Sequence, residues 1–163
     1  MTAEIVLVWN NMNFRKYESF EYKLKIDYPS TWQKIDKTSE SQPFVLAFRR
    51  LKENPSDSYL ESLDIQVRDI PTSNISLSQY IELQIKNLKA VNPDFSLVES
   101  IPTTIAGNAA HQIVYIANGN KRLFISTMKG DKIYNITYIS RPEKYLEYLS
   151  TVEQMIASFE FIS

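Results

Sequence analysis

The sequence contains no cysteine, a single histidine and only three glycines among its 163 residues. The lack of thiols excludes disulfides, thiolate nucleophiles and cysteine-based zinc or iron–sulfur sites. It does not fix the compartment, because an extracytoplasmic protein can also fold without disulfides. We expect Gly107, Gly119 and Gly130 to form tight turns, since glycine adopts positive φ without steric cost.

Charge and hydropathy exclude further classes of function. The 18 basic residues balance 19 acidic ones, so a net charge of -1 gives no long-range field to attract nucleic acid or anionic lipid. We therefore expect the basic pairs Arg49-Arg50 and Lys121-Arg122 to be solvated strand ends. No apolar run approaches the ~20 residues of a membrane span, and Met1–Trp9 lacks the features of a signal peptide. The sequence predicts neither a nucleic-acid partner nor membrane insertion.

The clearest structural pattern is an antiparallel meander over Ser96–Ile139, four strands joined by turns at the three glycines. Its last strands carry apolar residues on both faces, which is typical of central strands covered on both sides. Three earlier strands are predicted near residues 20–28, 44–51 and 60–70, because apolar and polar residues alternate there.

Two segments have helical periodicity. Ser76 and Gln79 form a capping box ahead of an apolar stripe that ends before Asn92-Pro93. A second helix opens at Pro142, and residues 158–162 close the chain as a short extended piece.

These elements predict the fold class α+β: a mostly antiparallel β-sheet of six to eight strands flanked by helices on both faces, an α/β/α sandwich. We expect residues 1–17 to be an N-terminal extension of uncertain structure and residues 18–163 to form one domain.

His111 is the only histidine, and strand alternation places it on one face with Ile113 and Tyr115. A structural or surface role is favoured over a metal ligand or a catalytic base, because no G-x-S-x-G nucleophile motif accompanies it. P-loop and H-E-x-x-H motifs are also missing. We predict no catalytic, cofactor-binding or metal-binding residue.

Candidate acids are scattered over strand ends and wet faces, which argues against an acid–base pair. A weak calcium site built from loop carboxylates stays open as an alternative. The candidate acids considered for both roles are Asp27, Asp36, Glu61, Asp64, Asp94 and Glu99. A set of strand aromatics is interpreted as core rather than as a stacking platform for nucleic acid, because such platforms need interleaved positive charge. The set is Tyr115, Phe124, Tyr134 and Tyr138.

Several local patterns, taken in their order and spacing over residues 18–162, resemble the PsbP family of extrinsic photosystem II proteins, with its Mog1/PsbP-like fold. The patterns are Tyr28-Pro29-Ser30-Thr31-Trp32, Leu77-Ser78-Gln79-Tyr80, Pro93-Asp94-Phe95, Thr103-Thr104-Ile105-Ala106-Gly107, Gly107-Asn108-Ala109-Ala110 with Tyr115 downstream, and Ser158-Phe159.

The resemblance implies a non-enzymatic accessory protein, expected as a monomer, that docks on a larger assembly. In photosynthetic relatives this assembly is the oxygen-evolving complex of photosystem II. The resemblance also implies peripheral rather than inserted membrane association, an extracytoplasmic site of the periplasmic or lumenal type, and weak calcium binding as the one cofactor left open. The alternative is a sensor module that binds a small ligand or metal in a cavity between sheet and helix near Trp32 and Tyr80.

Overall fold

The computed structural model describes residues 13–71 and 74–163. Within these residues the chain forms ten strands and two α-helices, with a 3-10 turn at Pro142–Lys144 ahead of the second helix. In chain order they are β1 (Phe14–Ser19), β2 (Leu24–Pro29), β3 (Trp32–Asp36), β4 (Leu46–Arg50), β5 (Ser62–Asp69), α1 (Leu77–Val91), β6 (Ser96–Ile105), β7 (Asn108–Ala117), β8 (Asn120–Lys129), β9 (Lys132–Ser140), α2 (Tyr145–Ser158) and β10 (Glu160–Phe161).

Seven strands form one antiparallel sheet in the order β3-β4-β5-β9-β8-β7-β6. The predicted meander supplies its β6–β9 half, and β9 lies centrally between β5 and β8 as its apolar faces indicate. A smaller sheet, β1-β2-β10, joins the two ends of the described chain. The predicted class, a mostly antiparallel sheet with helices, is confirmed.

The large sheet is covered on both faces. On the first face, called the α1 face, Tyr80 and Ile81 of α1 pack against Ile113, Phe124 and Ile133. On the opposite face, the α2 face, α2 and the small sheet enclose the larger core. That core includes Leu24, Phe48, Leu63, Ile136, Tyr138, Val152 and Met155. Successive strand residues alternate between the two faces, which explains why β9 carries apolar residues on both of its faces.

The turns of the meander follow from local chemistry. Ala106 and Gly107 both have positive φ, as do Asn118 and Gly119. Two successive positive φ angles are the requirement of the two-residue hairpin turns that suit the twist of antiparallel strands. The glycine turns predicted from sequence are therefore confirmed.

The start of α1 is also as predicted. Ser76 Oγ accepts from the Gln79 backbone at 3.1 Å, and the Gln79 side chain accepts from the Ser76 backbone at 2.8 Å. Both are partners for amide groups that the first helical turn leaves free. Val91, which the periodicity assigns to the apolar stripe, is 74% exposed at the end of the helix.

Two of the ten strands, β3 and β1, lie outside the segments that the sequence predicts as strands. β1 begins at Phe14 and pairs with β2 over its whole length, although four of its six residues are polar. Its stability comes from pairing and from Tyr17, whose ring packs edge-on against Phe48 at 6.5 Å. The predicted loop at residues 10–13 lies, except for Asn13, outside the described residues. The domain division at residue 18 stays a prediction.

Candidate functional site

A buried charge cluster lies where the loop after β4 meets the start of α2. Arg50 donates to Glu61 Oε1 at 2.8 Å and to both oxygens of Asp57, at 2.6 and 3.0 Å. Arg141 donates to Glu61 Oε2 from its side chain and from its backbone, at 3.1 Å each. Arg50 and Glu61 are 3% and 0% exposed. The prediction of a solvated Arg50 is therefore wrong. Glu61 adjoins the start of β5, as predicted for a strand end, but it is buried rather than wet. Each residue finds its partner across the β4–β5 loop.

The electrostatics of this cluster favour the ionised carboxylates. The hydrogen bonds from Arg50 lower the pKa of Asp57 to about 2. Burial opposes ionisation of Glu61, but the hydrogen bonds from Arg141 and Arg50 outweigh it and lower its pKa below the ordinary value. Because the guanidinium groups of Arg50 and Arg141 engage both carboxylates, the cluster leaves neither acid free for chemistry.

His111 lies on β7, and its Nε2 is 2.8 Å from the Ser100 hydroxyl of β6. Both residues are on the α1 face, Ser100 opposite Ile113 in the register. Nucleophilic catalysis would also need a third group that orients the histidine. None of the hydrogen bonds in residues 13–71 and 74–163 joins a carboxylate to His111. The pair links β6 and β7 through their side chains.

The other candidate acids are dispersed. Asp94 accepts from the backbone amides of Asn118 and Gly119 at 2.7 and 2.8 Å, and these bonds lower its pKa. Asp36 pairs with Lys34 in water. Burial raises the pKa of Asp64 on β5. Glu99 accepts from Gln112 at 3.2 Å. The backbone amide of Asp27 donates to the Ser158 hydroxyl at 2.8 Å. No group of three or more metal-ligating side chains forms within the described part of the chain.

Trp32 and Tyr80 lie on opposite sides of the seven-stranded sheet. Trp32 is buried in the core of the α2 face and meets Tyr148 edge-on at 6.4 Å. Tyr80 is buried on the α1 face, where its hydroxyl accepts from Asn135 Nδ2 at 2.8 Å. One cavity cannot be lined by both residues, so the predicted location of a ligand site between them is wrong. Sequence spacing does not reveal which face of a sheet a helix covers.

The strand aromatics are core residues, as the sequence interpretation states. Tyr115 and Phe124 are buried beneath α1, and Tyr134 and Tyr138 lie in the core of the α2 face. None of the four is more than 8% exposed, which leaves no open ring face for a base.

The most exposed part of the large sheet is its edge strand β6. Its residues 96–102 are all exposed, and no described strand pairs with its outer side. Leu97, Val98 and Ile101 are 42%, 54% and 41% exposed. The register with β7 shifts between Leu97 and Glu99, so Val98 is the extra residue of a bulge. Leu97 lies on the α1 face and Ile101 on the α2 face of this strand. Apolar side chains exposed along an edge are the kind of surface that protein partners cover.

Beside this edge lies a groove of about 650 Å³ between α2 and strands β6–β8, called here the β6–α2 groove. Its apolar lining comes from the sheet and from α2: Val114, Leu123, Ile125, Leu149 and Ile156. Polar groups at its margin are Glu99, Gln112, Lys121 and Glu153. Ligand pockets have this size and this mixture of apolar walls with a few polar groups.

Lys121 and Arg122 were predicted to be solvated, but both are half-buried. Lys121 lies 4.4 Å above the ring of Tyr145 at the groove. Arg122 has a buried Nε that makes no hydrogen bond within the described residues. Tertiary packing places Lys121 over the Tyr145 ring. The sequence Lys121-Arg122 alone does not indicate this contact.

Sequence reasoning missed both the β6 edge and the groove. A signal for the edge was present, since Ser96–Ile105 lacks the alternation of the other strands and contains Pro102. Proline inside a strand is typical of an edge. No signal marked the groove, because its walls combine strands β6–β8 with α2, which packs against them only in the folded protein.

No helix in the described residues is long and apolar enough to span a bilayer.

The sequence model of the family described as PsbP-like protein matches residues 8–161, nearly the whole chain. A comparison with the curated proteins finds no match.

Solved structures share the fold at low identity. The cyanobacterial PsbP protein CyanoP of Synechocystis sp. PCC 6803 is 17% identical, with a TM-score of 0.69, covering 92% of this chain and 93% of that one. LpqN of Mycobacterium tuberculosis, involved in cell envelope biogenesis, is 12% identical with a TM-score of 0.66, covering 97% and 95%. The Ran-binding protein Mog1p of Saccharomyces cerevisiae is 9% identical with a TM-score of 0.59, covering 94% and 97%. The chain belongs to the family of PsbP-like proteins.

Proposed function

We propose that this PsbP-like protein is a non-enzymatic accessory protein that docks on a larger protein assembly through β6. The observation that carries the proposal is the exposure of Leu97, Val98 and Ile101 on β6, a strand that pairs on one side only among the described residues. Covering such side chains removes apolar surface from water, which contributes about 25 cal/mol per Å² of buried area. The family resemblance alone supports a membrane-associated assembly to which this protein binds peripherally.

The β6 edge favours binding through its side chains over binding by an added strand. An added strand needs an unbroken row of outward amide and carbonyl groups. The bulge at Val98 and the proline at residue 102 interrupt that row, and both are devices that protect sheet edges from aggregation. A partner that packs on the exposed apolar side chains avoids this obstacle.

The fold is compatible with protein binding. Mog1p, which shares this architecture, is a Ran-binding protein. In the present chain the buried charge cluster and the Ser100–His111 pair are engaged in intramolecular bonds, which supports a binding role over catalysis.

Site-specific photo-cross-linking in cells of the source organism tests this proposal. A photoreactive residue replaces Leu97 or Ile101 on β6, and Leu146, which is 78% exposed on α2 away from the groove lining, serves as the matched control. We expect one discrete cross-linked protein from the β6 positions and none from position 146. The same adducts from all three positions, or none from β6, would contradict docking through this edge.

A second candidate function is a small-ligand-binding sensor module, which the β6–α2 groove favours through its volume of about 650 Å³. Thermal unfolding with panels of metabolites and metal ions tests it. A rise in Tm with one compound, removed by filling the groove with Ala157→Leu, is the expected result for a sensor. No rise with any compound would reject this candidate and leave docking untouched.

A further inference from the structure

The β6–α2 groove carries two carboxylates from different elements. Glu99 comes from β6 and Glu153 from α2, and both line the groove. Glu99 lies on the α2 face because it is opposite Val114 in the register, and its hydrogen bond to Gln112 crosses the same face. Neither carboxylate belongs to an ion pair within residues 13–71 and 74–163.

Tyr145 lines the same groove, and the negative charges of Glu99 and Glu153 both act on its hydroxyl. Burial and then the negative charges of Glu99 and Glu153 raise the pKa of Tyr145 to about 12. The cation nearby, Lys121, lies over the ring of Tyr145. The groove lining thus combines two acids and one lysine with apolar side chains.

We propose that the β6–α2 groove binds a segment of the partner protein that carries an apolar side chain next to a lysine or arginine. The apolar side chain lies against Leu149 and Ile156, and the cationic group binds Glu99 and Glu153. The inference rests on the proposed docking function and names the chemistry of the partner.

A protein segment fits this surface better than a small amine does. Ile101 is 41% exposed on the same face of β6 as Glu99, just outside the groove. Val98, which is 54% exposed, lines the groove mouth. The apolar surface thus continues along the strand past the pocket. A segment of several residues can cover the groove and this strip together, whereas a small molecule covers the groove alone.

The test uses capped octapeptide probes and amide chemical shifts of the isotope-labelled protein. One peptide alternates leucine with arginine, and the second has glutamate at each arginine position. We expect the arginine peptide to shift the amides of Val98–Gly107 and of the groove-lining part of α2. The glutamate peptide should leave them unchanged at the same concentration.

Charge variants locate the cation. Glu99→Gln and Glu153→Gln should each lower the affinity for the arginine peptide about twofold to fivefold, which is the range for partly solvated ion pairs. Glu82→Gln on α1 removes the same charge from an exposed position on the other face and should not change the affinity.

A peptide concentration of about 5 mM tests affinities down to the millimolar range. The absence of shifts at that concentration would overturn the inference. Equal binding of both peptides, or the same loss from Glu82→Gln as from Glu153→Gln, would also overturn it. Hexylammonium chloride is the third probe. If it binds the groove more tightly than the arginine peptide, the occupant is a small amine and the protein segment is excluded. Cross-linking from Leu97 together with a failed peptide test would retain docking and reject this partner chemistry, so the two proposals fail separately.

Discussion

The Arg50 guanidinium lies 2.8 Å from the carboxylate of Glu61, with both side chains almost fully buried. The two residues are 11 positions apart, and their bond closes the loop between β4 and β5. Arg141 reaches the same carboxylate from the start of the second helical segment. A buried ion pair stabilises a fold little when compared with an apolar replacement, but loss of one partner leaves an uncompensated charge.

Glu61→Gln should therefore destabilise the protein strongly. The substitution keeps the shape but removes the charge that balances Arg50 and Arg141, and the expected loss in free energy of unfolding is about 3 kcal/mol. Chemical denaturation at neutral pH measures it. The matched control, Glu160→Gln in the exposed pair with Lys25, should leave the unfolding midpoint unchanged. Equal midpoints for the two variants would contradict the role of the buried cluster.

Acid should weaken the fold through the same cluster. The pKa of Asp57 is about 2 in the folded protein against an ordinary value of 3.8, and that of Glu61 is also lowered. A carboxylate whose folded pKa is lowered contributes stability above its ordinary pKa, and this contribution is lost as the pH falls through the folded value. We expect the free energy of unfolding to fall between about pH 4 and pH 2.

Asp57→Asn tests the assignment of this pH dependence. Because asparagine does not titrate, the variant should be less stable at pH 6 and should lose less stability than the parent protein between pH 4 and pH 2. Denaturation series at several pH values give both curves. Parallel curves would assign the acid sensitivity to other carboxylates.

Tyr80→Phe should destabilise the protein because it leaves a buried polar group without a hydrogen-bond partner. The Tyr80 hydroxyl accepts from Asn135 Nδ2 at 2.8 Å, and Asn135 also accepts from the Ser126 hydroxyl beneath α1. Removing the acceptor leaves a buried amide N–H without a partner, which costs about 1–3 kcal/mol. Tyr145→Phe removes a hydroxyl that takes part in none of the described hydrogen bonds, and it should cost less. Thermal unfolding ranks the two variants, and the reverse order would contradict the prediction.

Ser76→Ala should destabilise α1 from its first turn. The alanine removes the oxygen that accepts from the Gln79 amide, and loss of such a cap costs about 1 kcal/mol. Ser78→Ala, also exposed but two positions inside the cap, is the control and should be neutral or slightly stabilising because alanine favours helix interiors. Equal losses from both substitutions would show that the capping box adds nothing.

Parts of the fold whose causes are local could be predicted from the sequence. The positive-φ turns at Gly107 and Gly119 and the Ser76 cap depend on a few neighbouring residues. β1 could not be predicted because its polar residues are held by pairing with β2, and β10 joins that sheet from the other end of the described chain. Arg50 looked solvated for the same reason, since Glu61 and Arg141 approach it only after the β4–β5 loop has closed.

The candidate site divides in the same way. The sequence by itself determined an antiparallel meander, two amphipathic helices and a chain without thiols or recognisable catalytic motifs, because periodicity and turn chemistry act over a few residues. Only the tertiary structure decided that Trp32 and Tyr80 lie on opposite faces, that β6 is an edge strand among the described residues, and that Glu99 and Glu153 line one groove. The physical reason is that side-chain alternation says which residues share a face, whereas the order of strands and the packing of helices decide what that face meets.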